Sequence, residues 1–380
     1  MSAAAVLPLA IFWSTIDRSL ILPLIPQLAE DLDAPLAVAA NAVTLHALAY
    51  ALLQVMWGPL STRWGRIRVL TVSTALAAVA NLLVALSPDI VVLLIARTAS
   101  GGAFAAMFAA VLTYFGDTLP LERRPAAMAN LATATALGLA AGTVIAGAAT
   151  QWVSWQVLFV VYAVVTALLA VLIAVLPEAR DDGAAPLRMQ LRQLMRNRWA
   201  LVVCAVTGLE GVLLIGLYNM LPVALQQAGG GAAVSGFVTA AFGVAVVVVS
   251  QLMKLVVHRV APLWFLVAGG GCAVLAFVLL ATQITPLSVL VGATGMGAGW
   301  ALAHTTLQTW MTDAAAQTRA LGMTMFSISL MLGGSLGALA GAAAVAAESF
   351  PLLFAAAALA SAVFGGTAAL GRLRYRVRGD

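Results

Sequence analysis

Gly58-Pro-Leu-Ser-Thr-Arg-Trp-Gly-Arg-Ile-Arg68 decides how the rest of the chain is read. Arg63, Arg66 and Arg68 fall within six positions, between two long apolar segments. Charge this dense does not enter hydrocarbon, so the stretch reads as a short basic hairpin held at one face of a membrane. Gly58 and Gly65 remove side chains where two helix ends are expected to approach closely.

The composition agrees with that setting. The 380 residues are 63% hydrophobic and 9% charged, with mean hydropathy +1.04; a soluble domain carries about a quarter of its residues charged. Apolar residues come in runs of about twenty, the length that crosses roughly 30 Å of hydrocarbon. Twelve such segments are predicted, at about residues 4–26, 36–60, 69–86, 90–115, 126–150, 153–176, 199–222, 233–256, 263–283, 287–311, 320–346 and 350–370. The expected fold is an all-α integral membrane protein with twelve transmembrane helices in two pseudo-symmetric six-helix bundles, residues 1–176 and 199–370. A linker at 177–198 joins them and a basic tail, 371–380, follows. Within the linker, Arg188, Arg192 and Arg196 recur every four residues. That spacing fits a short basic helix on the membrane surface; a plain connection is the alternative.

Charge placement sets the topology. Of nineteen Lys and Arg, sixteen lie after segments two, four, six, eight and ten or in the tail, leaving Arg18, Arg97 and Lys254 inside or at the ends of helices. The loops on the other side hold only Glu30, Asp31, Asp33, Asp89 and Glu348. By the positive-inside bias, both termini are expected in the cytoplasm of a cell (inner or plasma) membrane. The net charge of +5 then borders anionic lipid, and nucleic acid drops out as a partner. Asp117 and Asp313 stand 196 positions apart, each followed by arginine and then by a small residue and Met, which supports two equivalent halves.

Several chemistries find no residues. Without a G-x-x-x-x-G-K-[ST] loop, ATP hydrolysis is not expected. Nucleophile and metal-ligand spacings are missing, so the chain reads as a non-enzyme with no cofactor and no metal. Cys204 and Cys272 lie inside apolar runs as packing residues. The first segment carries Asp17 and Arg18 in its middle and lacks a basic leader, so it reads as a span and not as a cleavable signal. Gly269-Gly-Gly271 and Gly333-Gly334 read as helix-packing glycines.

The basic hairpin resembles the G-x-L-a-D-r-x-G-r-r/k loop signature of the major facilitator superfamily, with Thr62 at the aspartate position and Ile67 at the last basic one. Ile95-Ala-Arg97-Thr-Ala-Ser-Gly-Gly102 resembles that family's fourth-helix signature, and Trp155-Gln-Val-Leu-Phe159 its W-R-x-x-F. Ile16-Asp-Arg-Ser-Leu-Ile-Leu-Pro-Leu-Ile-Pro26 is similar to first helices of the twelve-helix drug:proton antiporter branch. In the fifth segment Gly138, Gly142 and Gly147 match that branch's glycine pattern, but Thr143 replaces the proline and Ala146 a glycine. The resemblance implies alternating access by two rocking halves. It also implies a gate in which Asp117 pairs with Arg63 or Arg66, and Asp313 with Arg259.

Polar groups inside apolar runs are costly, about 2.5–3.5 kcal/mol for a charge at mid-bilayer on insertion scales, and so point to a cavity or a partner. Asp17 sits mid-span; the resemblance places Arg97 near it, and Asp17 reads as a proton site or as half of a permanent ion pair with Arg97 or Arg18. Glu210, eleven residues into segment seven with no base near it in sequence, is the first candidate for proton coupling. Contact with a cationic substrate and a neutral structural carboxyl are its alternatives. His46, Tyr50 and Gln54 share one helix face, as do Trp300, His304 and Gln308, and both stripes are expected to line a cavity or hydrogen-bond a neighbouring helix. Trp13, Tyr218 and Asn219 are weaker cavity candidates. The expected activity is proton-coupled efflux of small apolar or amphipathic compounds by a monomer. Transport of a sugar or other metabolite is the alternative, and a non-transporting sensor or scaffold the remote one.

Overall fold

The computed structural model describes residues 3–120, 123–179 and 187–375. All regular structure among them is helical, and twelve helices are long and apolar enough to cross a membrane. They run Ala3–Asp31, Leu36–Gly58, Arg66–Ala85, Ile90–Thr118, Asn130–Ala149 and Trp155–Ala174, then Arg198–Gln227, Ala232–Val256, Pro262–Thr282, Pro286–Ala314, Leu321–Ala346 and Phe350–Arg374; we number these spans one to twelve. The chain is a multi-pass membrane protein, and it divides into two compact units, Met1–Ala184 and Ala185–Asp380.

Span ends follow from local chemistry. Asp89 accepts from Val92 N at the start of span four, Ser154 from Val157 N at span six, and Asn197 from Trp199 N and Ala200 N at span seven. Thr285 and Ser288 form a reciprocal capping box at span ten. Each supplies an acceptor to amides that have no partner within the helix.

Within each unit the spans pack in the same pairs. In the first unit span one lies on five, two on four and three on six; in the second, seven lies on eleven, eight on ten and nine on twelve. The repeat extends to single contacts. A Cβ on Gly101 would sit 2.1 Å from His46 O, and one on Gly297 2.3 Å from Phe242 O; both members of the second pair stand 196 positions after the first. Gly138 against Phe12 O recurs as Gly333 against Gly208 O, and Gly142 against Ile16 O as Gly337 against Val212 O. Only glycine allows backbones this near. The same few close approaches therefore set the helix crossings in both halves.

The basic stretch differs from its expected form. The helix of span two runs on through Trp64, the next begins at Arg66, and the hairpin is the single residue Gly65 at φ +103°. Ser61, Arg63 and Trp64 are compatible with helix, so polarity alone does not end it; the left-handed backbone of Gly65 does. Gly58 is exposed on the helix and an added Cβ would meet nothing within 4 Å, so it is not the close-approach position it was expected to be. The linker forms a helix at Leu187–Met195, tied to the second unit by buried Leu194 and, just beyond it, by Asn197 Nδ2 donating to Ala314 O. Span twelve continues to Arg374 rather than ending at Leu370, so Arg372 and Arg374 belong to a helix and not to a tail.

Four spans are interrupted, span eight only at Ala240, between helices Ala232–Thr239 and Ala241–Val256. Span one passes through a 3-10 turn, Leu22–Leu24, where Pro23 and Pro26 remove amide donors. Span four breaks between Phe104 and Met107. In span seven the α-helix ends at Glu210, a π-helix runs Gly211–Leu217 and a 3-10 turn covers Tyr218–Met220. π segments inside α-helices mark places where regular bonding was surrendered, often at functional sites. Span five, in contrast, is part of one unbroken helix, Arg124–Ala149, in which Thr143 bonds back to Ala140 O.

Candidate functional site

In the first unit the site begins with Asp17, which is fully buried on span one. Arg97, also fully buried, reaches it from span four. Its Nη1 donates to Asp17 Oδ2 at 2.9 Å and its Nη2 to the Asp17 carbonyl at 3.1 Å. Ser100 lies one turn after Arg97, hence on the same face, and its hydroxyl donates to the same Oδ2 at 2.9 Å. Asn81 of span three donates to Ser100 Oγ at 3.1 Å. From span two, His46 Nδ1 stands 3.5 Å from Oδ2. Oδ2 is thus crowded with donors, while Oδ1 is buried with no hydrogen-bond partner. Of the two arginines considered for Asp17, the structure pairs it with Arg97; Arg18 is half-buried one residue on.

Trp13, one turn before Asp17, stacks on Tyr162 with ring centroids 4.9 Å apart. Its indole donates to Thr166 Oγ1, and the Tyr162 hydroxyl donates to the Trp13 carbonyl. Tyr50 and Gln54, expected to face a cavity, are buried at 7% and 1% exposure.

Among the described residues of the second unit one acid is embedded, Glu210, fully buried at the α-to-π transition of span seven. His304 Nδ1 of span ten lies 3.2 Å from Glu210 Oε2. On the other side of the ring, Gln308 Nε2 lies 3.0 Å from His304 Nε2. The imidazole therefore bridges the Glu210 carboxylate and the Gln308 amide through its two ring nitrogens. Trp300 stacks over this imidazole at 3.9 Å, and Phe326 of span eleven lies tilted against it at 5.2 Å. Glu210 Oε1, like Asp17 Oδ1, is buried without a hydrogen-bond partner. Trp300, His304 and Gln308 are each half-buried. Tyr218 is buried against Phe242 and donates to Thr239 O, and Asn219 is buried beside it.

The two acids share one arrangement. Each is desolvated, each has one oxygen held by a basic side chain on a different span, and each keeps its second oxygen bare. A carboxylate in that state can take a proton on the bare oxygen without first giving up an existing bond. Each carboxylate thus bridges two spans through one oxygen and leaves the other without a hydrogen bond.

At the basic turn, Arg66 Nε donates to Asp117 Oδ2 at 3.2 Å. Arg63 is exposed, so Arg66 is the partner of the two considered. Asp313 and Arg259 are both exposed, and among the described residues no salt bridge joins them. The second half thus lacks the expected counterpart of the first-half pair. Glu178 fills a role that sequence reasoning missed: its carboxylate accepts from Ile67 N at 2.9 Å and Arg68 N at 3.1 Å. A negative charge therefore caps the positive end of the helix that starts span three.

Residues 7–338 match the family model described as Major Facilitator Superfamily. Among curated proteins, the chain is 28% identical over 231 residues to the multidrug resistance protein MdtM of Salmonella typhimurium, covering 58% of this chain and 54% of that one. It is 28% identical over 217 residues to the multidrug efflux pump LfrA of Mycolicibacterium smegmatis (55% and 43%), and 28% over 150 residues to the efflux pump dotC of Dothistroma septosporum (40% and 26%). The chain thus spans about a quarter to a half of the length of these relatives. Among solved structures, a bacterial homologue of the human lysosomal transporter Spinster superposes with TM-score 0.77 at 12% identity, covering 97% of this chain and 96% of that one. The nucleoside transporter NupG superposes with TM-score 0.78 at 12% identity, covering 97% and 100%. At this identity the structural likeness speaks to the fold alone.

Proposed function

The chain belongs to the major facilitator superfamily, and from that premise we propose that it is a secondary transporter that exports small apolar or amphipathic compounds in exchange for protons by alternating access. The observation that carries this reading is the matched pair of buried acids, Asp17 on Arg97 and Glu210 on His304, each with one bare oxygen. Proton exchange at either carboxyl changes whether two spans are held together, which is what coupling a proton gradient to helix movement requires. Efflux is supported by the relatives, three of which carry efflux or multidrug names. The few fixed charges inside the spans suit apolar cargo. Arg66 with Asp117 is the gate element in this reading, and the basic loops support an orientation with both termini in the cytoplasm and the spans in the cell membrane.

Transport of a metabolite without the antiporter's bend is the second reading. The unbroken span-five helix favours it, since Thr143 stands where the antiporter pattern has proline. Reconstitution separates the two. In proteoliposomes with an imposed pH gradient, export of an amphipathic fluorescent dye that stops when the gradient is collapsed supports antiport. Dye movement indifferent to the gradient overturns it.

A further inference from the structure

At the end of the second unit where span seven begins and span twelve finishes, a cleft of about 290 Å³ is lined by Arg198, Trp199, Val202 and Arg374. Arg198 lies over the Trp199 ring at 5.3 Å, and Arg372 lies over Trp310 at 5.9 Å and Tyr375 at 5.1 Å. Trp199 packs in turn on Trp310 and Tyr375. Among the described residues, no carboxylate forms a salt bridge with Arg198, Arg372 or Arg374. Two donors in the same cluster have also lost water without gaining an acceptor. They are Arg372 Nη1 and the indole Nε1 of Trp310, a residue only 1% exposed. Two guanidiniums on an aromatic bed and a third, Arg374, at the cleft, none in a salt bridge among the described residues, with two unsatisfied donors beside them, call for an oxyanion.

We propose that this cleft binds the phosphate of an anionic phospholipid headgroup. A phosphate diester there would take charge-assisted bonds from Arg198 and Arg374, while Trp199 supplies the amphipathic ring that prefers the headgroup level. Surrounding side chains favour lipid over free phosphate as its source. Leu201, Leu370 and Leu373 are exposed on the same two spans, offering apolar tracks for acyl chains. The neighbouring linker helix, Leu187–Met195, exposes Met189, Leu191 and Met195 together with Arg192, the composition of a helix that beds in the interface. The proposal does not depend on whether the protein carries protons or drugs.

The test uses the full chain purified in neutral detergent, with native mass spectrometry and thermal melting as readouts. Phosphatidylglycerol and its dimeric form, cardiolipin, are each added against phosphatidylcholine and against inorganic phosphate at matched concentration. The expected result is retained anionic lipid and a raised melting point for the wild type, with neither from phosphatidylcholine or inorganic phosphate. In Arg198→Gln/Arg374→Gln the lipid affinity should fall about 30-fold, the share of two surface arginines. Arg63→Gln/Arg259→Gln, which removes two exposed arginines elsewhere, should leave the affinity unchanged. Should the first variant not fold, a photo-crosslinking phosphatidylglycerol applied to the wild type should label peptides at the start of span seven and the end of span twelve. Equal retention of phosphatidylcholine, equal loss in both double variants, or labelling spread over other spans overturns the proposal. An inorganic-phosphate shift that the Arg198→Gln/Arg374→Gln change abolishes overturns the lipid assignment in favour of a free-anion site.

Discussion

Asp17→Asn keeps the shape of the side chain and removes its charge, so it separates a proton carrier from a fixed ion pair. In the wild type, Asp17 Oδ2 accepts from Arg97 Nη1 and Ser100 Oγ, each at 2.9 Å, and Asp17 and Arg97 are both fully buried. The amide oxygen can still accept from Ser100. Arg97, however, is left as an uncompensated charge inside the bundle, a loss of about 3–5 kcal/mol for a buried pair broken from one side. Removing the second charge as well, in Asp17→Asn/Arg97→Gln, should restore roughly half or more of that stability, because the penalty lies in the orphaned guanidinium. Transport with full pH dependence should not return with stability, since neither variant offers a carboxyl to protonate at position 17 and Glu210 alone remains. The assay combines unfolding of the detergent-solubilised protein with pH-gradient-driven dye export in proteoliposomes. Were the single variant as stable as wild type, or were either variant to export with full pH dependence, the reasoning about Asp17 would be refuted.

Four further outcomes follow from the same geometry. Glu210→Gln retains an acceptor for His304 Nδ1 and should fold normally, yet lose the pH dependence of export; unchanged dependence in proteoliposomes counts against a proton role for Glu210. Glu178→Ala removes the acceptor for Ile67 N and Arg68 N. Because Glu178 is exposed, the cost should be about 0.5–1 kcal/mol, read as an earlier thermal unfolding of the protein. Gly333→Ala puts a Cβ 1.9 Å from Gly208 O and should prevent accumulation of folded protein, as judged by size-exclusion profile. Gly58→Ala meets nothing within 4 Å and should be neutral or stabilising by up to about 1 kcal/mol, the helix-propensity difference between the two residues.

The twelve spans were legible because a bilayer imposes a length and forbids charge, and both constraints are local. Starts such as Ile90 and Phe350 and the end at Ala346 coincide with the edges of apolar runs for that reason. The turn at Gly65 was less legible. Arg63 looks like loop by its charge but is a good helix former, Trp64 is compatible with helix, and the chain reverses only where φ turns positive. Asp17 and Arg97, 80 positions apart, were each visible as costly residues, and only a family resemblance brought them together. Ser100 had a readable signal in its one-turn spacing from Arg97; Asn81 had none beyond being polar in an apolar run. Glu210 and His304 lie 94 positions apart, and the internal repeat does not connect them. The position 196 after Asp17 is Leu213, so the two acids sit almost a turn apart on equivalent spans. Glu178 was hidden for a different reason: it lies beyond the end of span six, just after Pro177, and amides at a helix start donate to any acid that reaches them.

Simultaneous recording of dye and proton movement tests the central claim most directly. Proteoliposomes carrying a pH-sensitive probe inside, loaded with an amphipathic fluorescent dye and given no imposed pH gradient, should show lumenal pH change in step with dye movement for the wild type. In Asp17→Asn/Glu210→Gln the proton signal should vanish, whether or not dye still crosses. A double variant that moves protons with dye as the wild type does would contradict the assignment of these two carboxyls as the carriers.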